Sequence, residues 1–375
     1  MRTITAVILC LTALPANGAE LPAAQALEVG LTYADSGAAR KAMPLLKRAL
    51  NSKKLDARQQ ARAHLGLGVC HAQLEQPELA IPQLEQAIAL DPKLGKAYLL
   101  LGMTYDLGEQ RPLALAVYRR GIAALPEDAE LLHELGLSEL MAGEVAAAVE
   151  HLRAAQRLKP HDAGLAGDLG YAQLRAGQFD AAVASLGEAQ RDGIGDADLY
   201  THLGDAYAGK NDLQRALDSY DRALEIEPGK SRARFHKGLV LAQKGDLAGA
   251  MVCYRAVLRS DPRNLRAQLE LGAALARTGG TSLDDAERTL RAVLQQDPSY
   301  GDAYVELARI AVARGDLAAA RKLLEQALER KPDDERALEA LEQVLDQLKD
   351  PEARAKVSDR LKKLRQPQRA KERRR

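Results

Sequence analysis

The chain has 375 residues, 28% of them charged, a formal net charge of +1, three cysteines, two phenylalanines and no tryptophan. Three cysteines are too few for a disulfide framework. The shortage of aromatic residues leaves no basic–aromatic interleaving of the kind that stacks single-stranded nucleic acid, so nucleic acid is an unlikely partner.

Residues 1–20 read MRTITAVILCLTALPANGAE. Arg2 precedes an apolar run from Ile4 to Leu14, and small residues follow near Gly18 and Ala19. This is the composition of a secretory signal peptide (residues 1–19), too short for a comfortable membrane span. An uncleaved anchor is the rival. A lipoprotein site at Cys10 is disfavoured by Leu9 and by its place inside the apolar run. The expected location is exported, periplasmic or envelope-associated. Cys70 and Cys253, many residues apart, read as small buried hydrophobes.

The next 330 residues repeat. Ala129–Asp162 carries Leu132, Leu135, Gly136, Ala148, Leu152, Ala155 and Pro160. A shift of 34 back gives Tyr98, Leu101, Gly102, Ala114, Tyr118, Gly121 and Pro126; a shift of 68 forward gives Tyr200, Leu203, Gly204, Ala216, Tyr220, Ala223 and Pro228. Each unit holds two stretches with helical apolar spacing, a break such as Gly143 and a closing proline that cannot continue a helix. The register predicts units at 23–56, 61–94, 95–128, 129–162, 163–196, 197–230, 231–264, 265–300 and 301–334. Pro44 and Pro82 fall inside second helices, where a kink is expected. The linker Asn51–Gln60 is about four residues long for the pattern, Ile194 replaces a closing proline between Gly193 and Gly195, and Thr278–Ser282 adds two residues. Residues 335–349 form one more amphipathic helix, expected to cap the stack.

The period and these marks resemble the tetratricopeptide repeat (TPR) family. The resemblance implies an all-α fold, a right-handed α-solenoid superhelix of about nine helix-turn-helix units plus a capping helix. It also implies that first helices line a concave groove. Their groove positions here include Leu65, Val69, Leu99, Met103, Leu107, Leu137, Met141, Tyr171, Leu174, Phe235 and Leu239, an apolar lining. Either this stripe stays open for a protein or peptide ligand, or the solenoid coils tightly and the same residues pack on each other. The Lys and Asn of the chaperone-carboxylate clamp are replaced by pairs such as Leu99 and Met103, so that ligand is not expected. Tyr33, Tyr98, Tyr105, Tyr118, Tyr200, Tyr207, Tyr220, Tyr254 and Tyr304 fall on packing positions and are expected in the core; Tyr171 and Phe235 do not, and are expected exposed.

Phosphate loops, paired-histidine zinc motifs and nucleophile elbows are missing from the sequence. No cofactor, metal site or catalytic residue is expected, and the chain does not read as an enzyme. His202 and His236 share a position in neighbouring units but lack a third ligand. Residues 351–375 hold eleven Lys and Arg against three acids, a net of +8 that leaves the rest of the chain at −7. This tail reads as basic and partly disordered, with contact to an anionic membrane or cell-wall polymer as a further role. The expectation is a non-enzymatic scaffold for envelope assembly or secretion; the alternative is an accessory subunit of an envelope enzyme such as a glycan synthase or transferase.

Overall fold

The computed structural model describes residues 21–372, with side chains through residue 365. The segment read as a signal peptide lies outside the described residues. Among the described residues there are twenty α-helices and no strand. They pair as hairpins in two compact units, the chain passing from the first to the second between Ile194 and Gly195.

The first unit holds α1 (Ala23–Asp35) with α2 (Ala39–Asn51), α3 (Ala57–Gln73) with α4 (Pro77–Leu90), and α5 (Gly95–Leu107) with α6 (Arg111–Ala124). α7 (Ala129–Ala142) with α8 (Val145–Leu158) and α9 (Ala163–Arg175) with α10 (Phe179–Arg191) complete it. The second unit holds α11 (Ala197–Gly209) with α12 (Leu213–Ile226), α13 (Ser231–Lys244) with α14 (Leu247–Ser260), and α15 (Leu265–Thr278) with α16 (Ser282–Gln296). It continues through α17 (Gly301–Ala313) with α18 (Leu317–Arg330) and ends with α19 (Glu335–Gln347) and α20 (Pro351–Glu372).

The local causes are plain. Asp128, Asp162, Asp196, Asp334 and Asn264 each accept a backbone N–H at the start of a first helix. The turns inside eight of the hairpins among the described residues are built on one left-handed residue. That residue is Gly37, Gly143, Gly177, Gly245 or Gly315 in five of them, but Glu75, Glu109 and Asn211 in the other three. Lys349 holds that place before α20, and two glycines, Gly279 and Gly280, before α16. A residue with a Cβ is less at ease there than glycine. Each first helix then lies close on its second. A Cβ on Gly136 would stand 2.7 Å from Leu152 Cγ, while Ala148 and Ala155 are fully buried. A lone hairpin cannot bury its apolar face, so each is covered by its neighbours.

Several expectations are corrected. The four extra residues before the second repeat do not lengthen a linker. They add a turn to α3, which runs 17 residues from a capping box made by Asp56 and Gln59. Pro44 and Pro82 lie on exposed faces of α2 and α4, and both helices continue through them. Tyr118, Tyr220 and Tyr254 are fully buried, but Tyr33, Tyr105, Tyr200 and Tyr207 are only half-buried. Three of these rings extend outward and carry a cation over the face: Lys41 over Tyr33, Arg222 over Tyr200 and Arg215 over Tyr207. Phe235 is buried against Tyr254, with ring centroids 5.8 Å apart. The basic tail is helical through Glu372. It packs Leu361 into the core of α18 and α19, and pairs Arg354 with Asp346 and Arg365 with Glu335 and Glu339. The last covering helix is therefore α20, not α19.

Candidate functional site: the inner face of the first helices

Consecutive first helices touch one another within each unit: α1 with α3, α3 with α5, α5 with α7 and α7 with α9 in the first, α11 through α19 likewise in the second. Consecutive second helices make no comparable contact among the described residues. The first helices therefore crowd the inner side of each unit.

In the first unit, α5, α7 and α9 present a grid of three residues each at i, i+3 and i+7, which share one helix face. α5 supplies Leu100, Met103 and Leu107; α7 supplies Glu134, Leu137 and Met141; α9 supplies Asp168, Tyr171 and Arg175. The grid grades from apolar to polar across the three helices. Leu107 is 85% exposed, Met141 69% and Met103 39%. Leu99, Leu137, Tyr171 and Leu174 are half-buried beneath them. Arg175 lies over the Tyr171 ring and donates to its hydroxyl.

The grid stops toward the N-terminus. Lys96 at the start of α5 reaches Asp35 at the end of α1, Nζ to Oδ1 3.3 Å, passing over α3 between them. Arg62 pairs with Glu28 on the same side. Leu65 is buried in the cluster of Leu84, Ala87, Ala97 and Leu101, and Val69 is half-buried against it. Leu65 thus packs within the repeat stack and is not part of an open groove, and the same correction applies to Phe235. Leu239, also expected in the groove, is half-buried in the core around Phe235 and Tyr254.

Carboxylates border the apolar strip. Asp106 accepts from Arg111 (3.0 Å) and from Ser138 (3.4 Å). Asp168 binds His133 Nε2 at 2.7 Å. Burial works against a charged His133, but the Asp168 hydrogen bond and charge outweigh it and hold its pKa above the ordinary histidine value. Glu134, half-buried between them, receives no hydrogen bond or ion pair among the described residues. Burial pushes its pKa up, the neighbouring His133 pulls it down, and Asp106 and Asp168 add to the push.

The inner face of the second unit is charged and largely paired, with one exception. Glu270 on α15, half-buried and without a hydrogen bond or ion pair among the described residues, has its pKa pushed up by burial and by Glu306, against the pull of Arg336 and Arg266. Asp205 accepts from Tyr220 Oη (2.8 Å) and Arg232 (2.8 Å) and is paired with His236. Burial disfavours its charge, yet these three partners hold its pKa below the usual carboxylate range. Burial and Arg232 lower the pKa of His202. Glu306 is buried and accepts from Arg309 (3.3 Å) and Arg336 (3.0 Å). His202 and His236 thus share the surroundings of Asp205. No group of three or more His, Cys, Asp or Glu side chains that could hold a metal ion occurs among the described residues. Both described cysteines are buried, and burial pushes the Cys70 thiol up to about 11, which keeps it unreactive. No described helix is long and apolar enough to cross a membrane.

Sequence reasoning missed Glu134 and the Asp205 hub. Their signal was present in the register: Glu134 and Asp168 stand one period apart, as do His202 and His236.

One model of the tetratricopeptide repeat matches residues 27–95, 99–163, 168–231 and 203–251, and related models match 238–279 and 281–345. The chain belongs to the tetratricopeptide repeat family. TPR chains are in general non-enzymatic scaffolds for protein–protein interaction, and TPR homologues bind protein partners. Comparison with curated proteins gave no match. Among solved structures, the APC/C Cut9–Hcn1 hetero-tetramer is similar in fold, with a TM-score of 0.50 at 13% identity, covering 92% of this TPR chain and 93% of that chain. Pseudomonas aeruginosa PilF gives 0.47 at 19%, covering 56% and 96%. A MamA fragment from Desulfovibrio magneticus RS-1 gives 0.42 at 22%, covering 44% and 96%.

Proposed function

We propose that this TPR chain is an exported scaffold whose first unit holds a protein or peptide ligand on the inner face of α5, α7 and α9, in envelope assembly or secretion. The observation that carries the binding surface is the solvent exposure of Leu107 and Met141 at the same position of adjacent helices. Large apolar side chains so exposed lose about 1.5–3 kcal/mol each relative to burial, which a ligand recovers. Export rests on the composition of residues 1–19. Contact of the tail with an anionic surface is a lesser role, because Arg354 and Arg365 are already engaged with α19.

Site-specific photocrosslinking in the native cell tests this. A photoreactive residue at 107 or 141 should capture one defined protein, whereas the same group at Ala116, exposed on α6, should not. Equal capture from all three positions, or none from 107 and 141, would sink the proposal. Cell fractionation tests export separately.

A further inference from the structure

We infer that the occupant of this inner face is a cationic amphipathic helix, its apolar side covering Met103, Leu107 and Met141 and a Lys or Arg side chain meeting Glu134. The inference rests on the groove reading above and names the chemistry of its ligand.

Three observations carry it. The first is the unpaired carboxylate. Asp106 and Asp168 have partners inside the unit, whereas Glu134 between them has none and lies one helical turn from Leu137 on the face that bears Met141. A half-buried carboxylate flanked by two others is held against its own solvation. A cation delivered by a ligand relieves both the burial and the repulsion.

The second is that the unit's own nearby cations are engaged. Arg111 is on Asp106, Lys96 on Asp35 and Arg175 on Tyr171, and His133, whose charge reaches Glu134, spends its hydrogen bond on Asp168. The cation must come from outside. The same column of carboxylates repels an anionic membrane or an acidic peptide.

The third is the spacing. α5 and α7 are packed neighbours, so Leu107 and Met141 stand about 10 Å apart. Seven residues of helix rise about 10.5 Å and return to the same face. An extended chain crosses that distance in about three residues, but its side chains alternate, so it would offer one anchor and miss the other. Methionine suits such a seat, since its unbranched side chain adapts to what it covers.

The test uses the full chain and three helical peptides of about 18 residues, identical on a leucine face and carrying Lys, Gln or Glu on the other. Binding is read by fluorescence anisotropy at low and high salt. The Lys peptide should bind tightest, then Gln, then Glu. Glu134→Gln should weaken the Lys peptide about fivefold, close to the Gln peptide's affinity, and leave the Gln peptide unchanged. It should also keep or raise the melting temperature, because it removes a charge the fold disfavours. Glu150→Gln, on the exposed face of α8, should change nothing. If Glu134→Gln leaves the Lys-to-Gln ratio untouched, the cationic inference fails and the groove stands. If Leu107→Ser with Met141→Ser leaves all three peptides unaffected, or if none binds, the groove reading itself fails for a helical ligand, and this inference with it.

Discussion

Gly238→Ala tests the close approach of paired helices. A Cβ at this position would stand 2.6 Å from Tyr254 Cε1, 3.0 Å from its Cδ1 and 3.1 Å from Cys253 Cβ. Ordinary carbon contacts are about 3.5–4.0 Å, so the ring must retreat by about 1 Å. It has nowhere to go: Tyr254 is fully buried, with Phe235 against it. Overpacking of this kind costs about 1–3 kcal/mol, and the better helix propensity of alanine returns about 1 kcal/mol. The net expected loss is up to about 2 kcal/mol, read as a lower urea midpoint for the second unit. Gly187→Ala is the control. Its Cβ would meet only Arg191 Nη1, at 3.7 Å, so it should gain about 0.5–1 kcal/mol. The ninth repeat already holds an alanine in the equivalent place: Ala308 packs in one cluster with Leu324. Tyr254→Leu combined with Gly238→Ala should therefore recover part of the loss. If Gly238→Ala stabilises as much as Gly187→Ala does, the steric account is wrong.

Other outcomes follow from the same geometry. Imidazole titrations by NMR should place His133 and His151 above the ordinary histidine pKa of about 6.5 and His202 below it. For the first two, the folded state binds the proton more tightly, so their stabilisation is complete below about pH 6.5 and is lost as pH rises through their folded pKa values. For His202 the sign reverses, and Asp168→Asn should bring the His133 pKa down. Glu139→Ala should cost about 1–3 kcal/mol by chemical denaturation, because this buried carboxylate accepts from Arg119 at 3.1 Å and His151 at 2.7 Å; a loss within error would show that the two partners find water instead. Glu75→Gly and Glu109→Gly should each stabilise modestly, by about 1 kcal/mol, because both residues hold a left-handed backbone; a lower melting temperature would contradict this. Removing α20 by a stop after Asp350 should expose Leu338, Leu341 and Leu345 and give concentration-dependent association by light scattering; a well-behaved monomer would count against α20 as the cover.

The architecture was legible because the marks that set it are local and recur. Gly136 against Leu152, Asp128 at a helix start and Gly143 in a turn each act within one hairpin, and a period of 34 multiplies the signal. What was not legible depends on more than one repeat at a time. Leu65 and Leu99 occupy the same place in successive first helices, yet Leu65 is buried and Leu99 only half-buried. The difference lies in the neighbours: Leu65 sits inside the cluster of Leu84, Ala87, Ala97 and Leu101, while Leu99 only lies against it. Glu134 reads as one more solvated acid until the partners of its neighbours are known. The stretch Ala353–Leu364 already reads as a candidate helix, but eleven basic residues hid its packing role, which Val357, Leu361 and Leu364 carry at the spacing of one face.

A pile of like parts carries no inherent length, since whatever seats the second on the first would also seat a stranger on the last. Such head-to-tail contacts do not close on themselves, and they grow filaments. The outer side of α20 bears Lys356, Lys362 and Lys363, all open to water. Lys362 pairs with Asp359, yet the exposed charge on this helix disfavours the seating of a further copy, so the side chains that looked like an appendage help the stack to end.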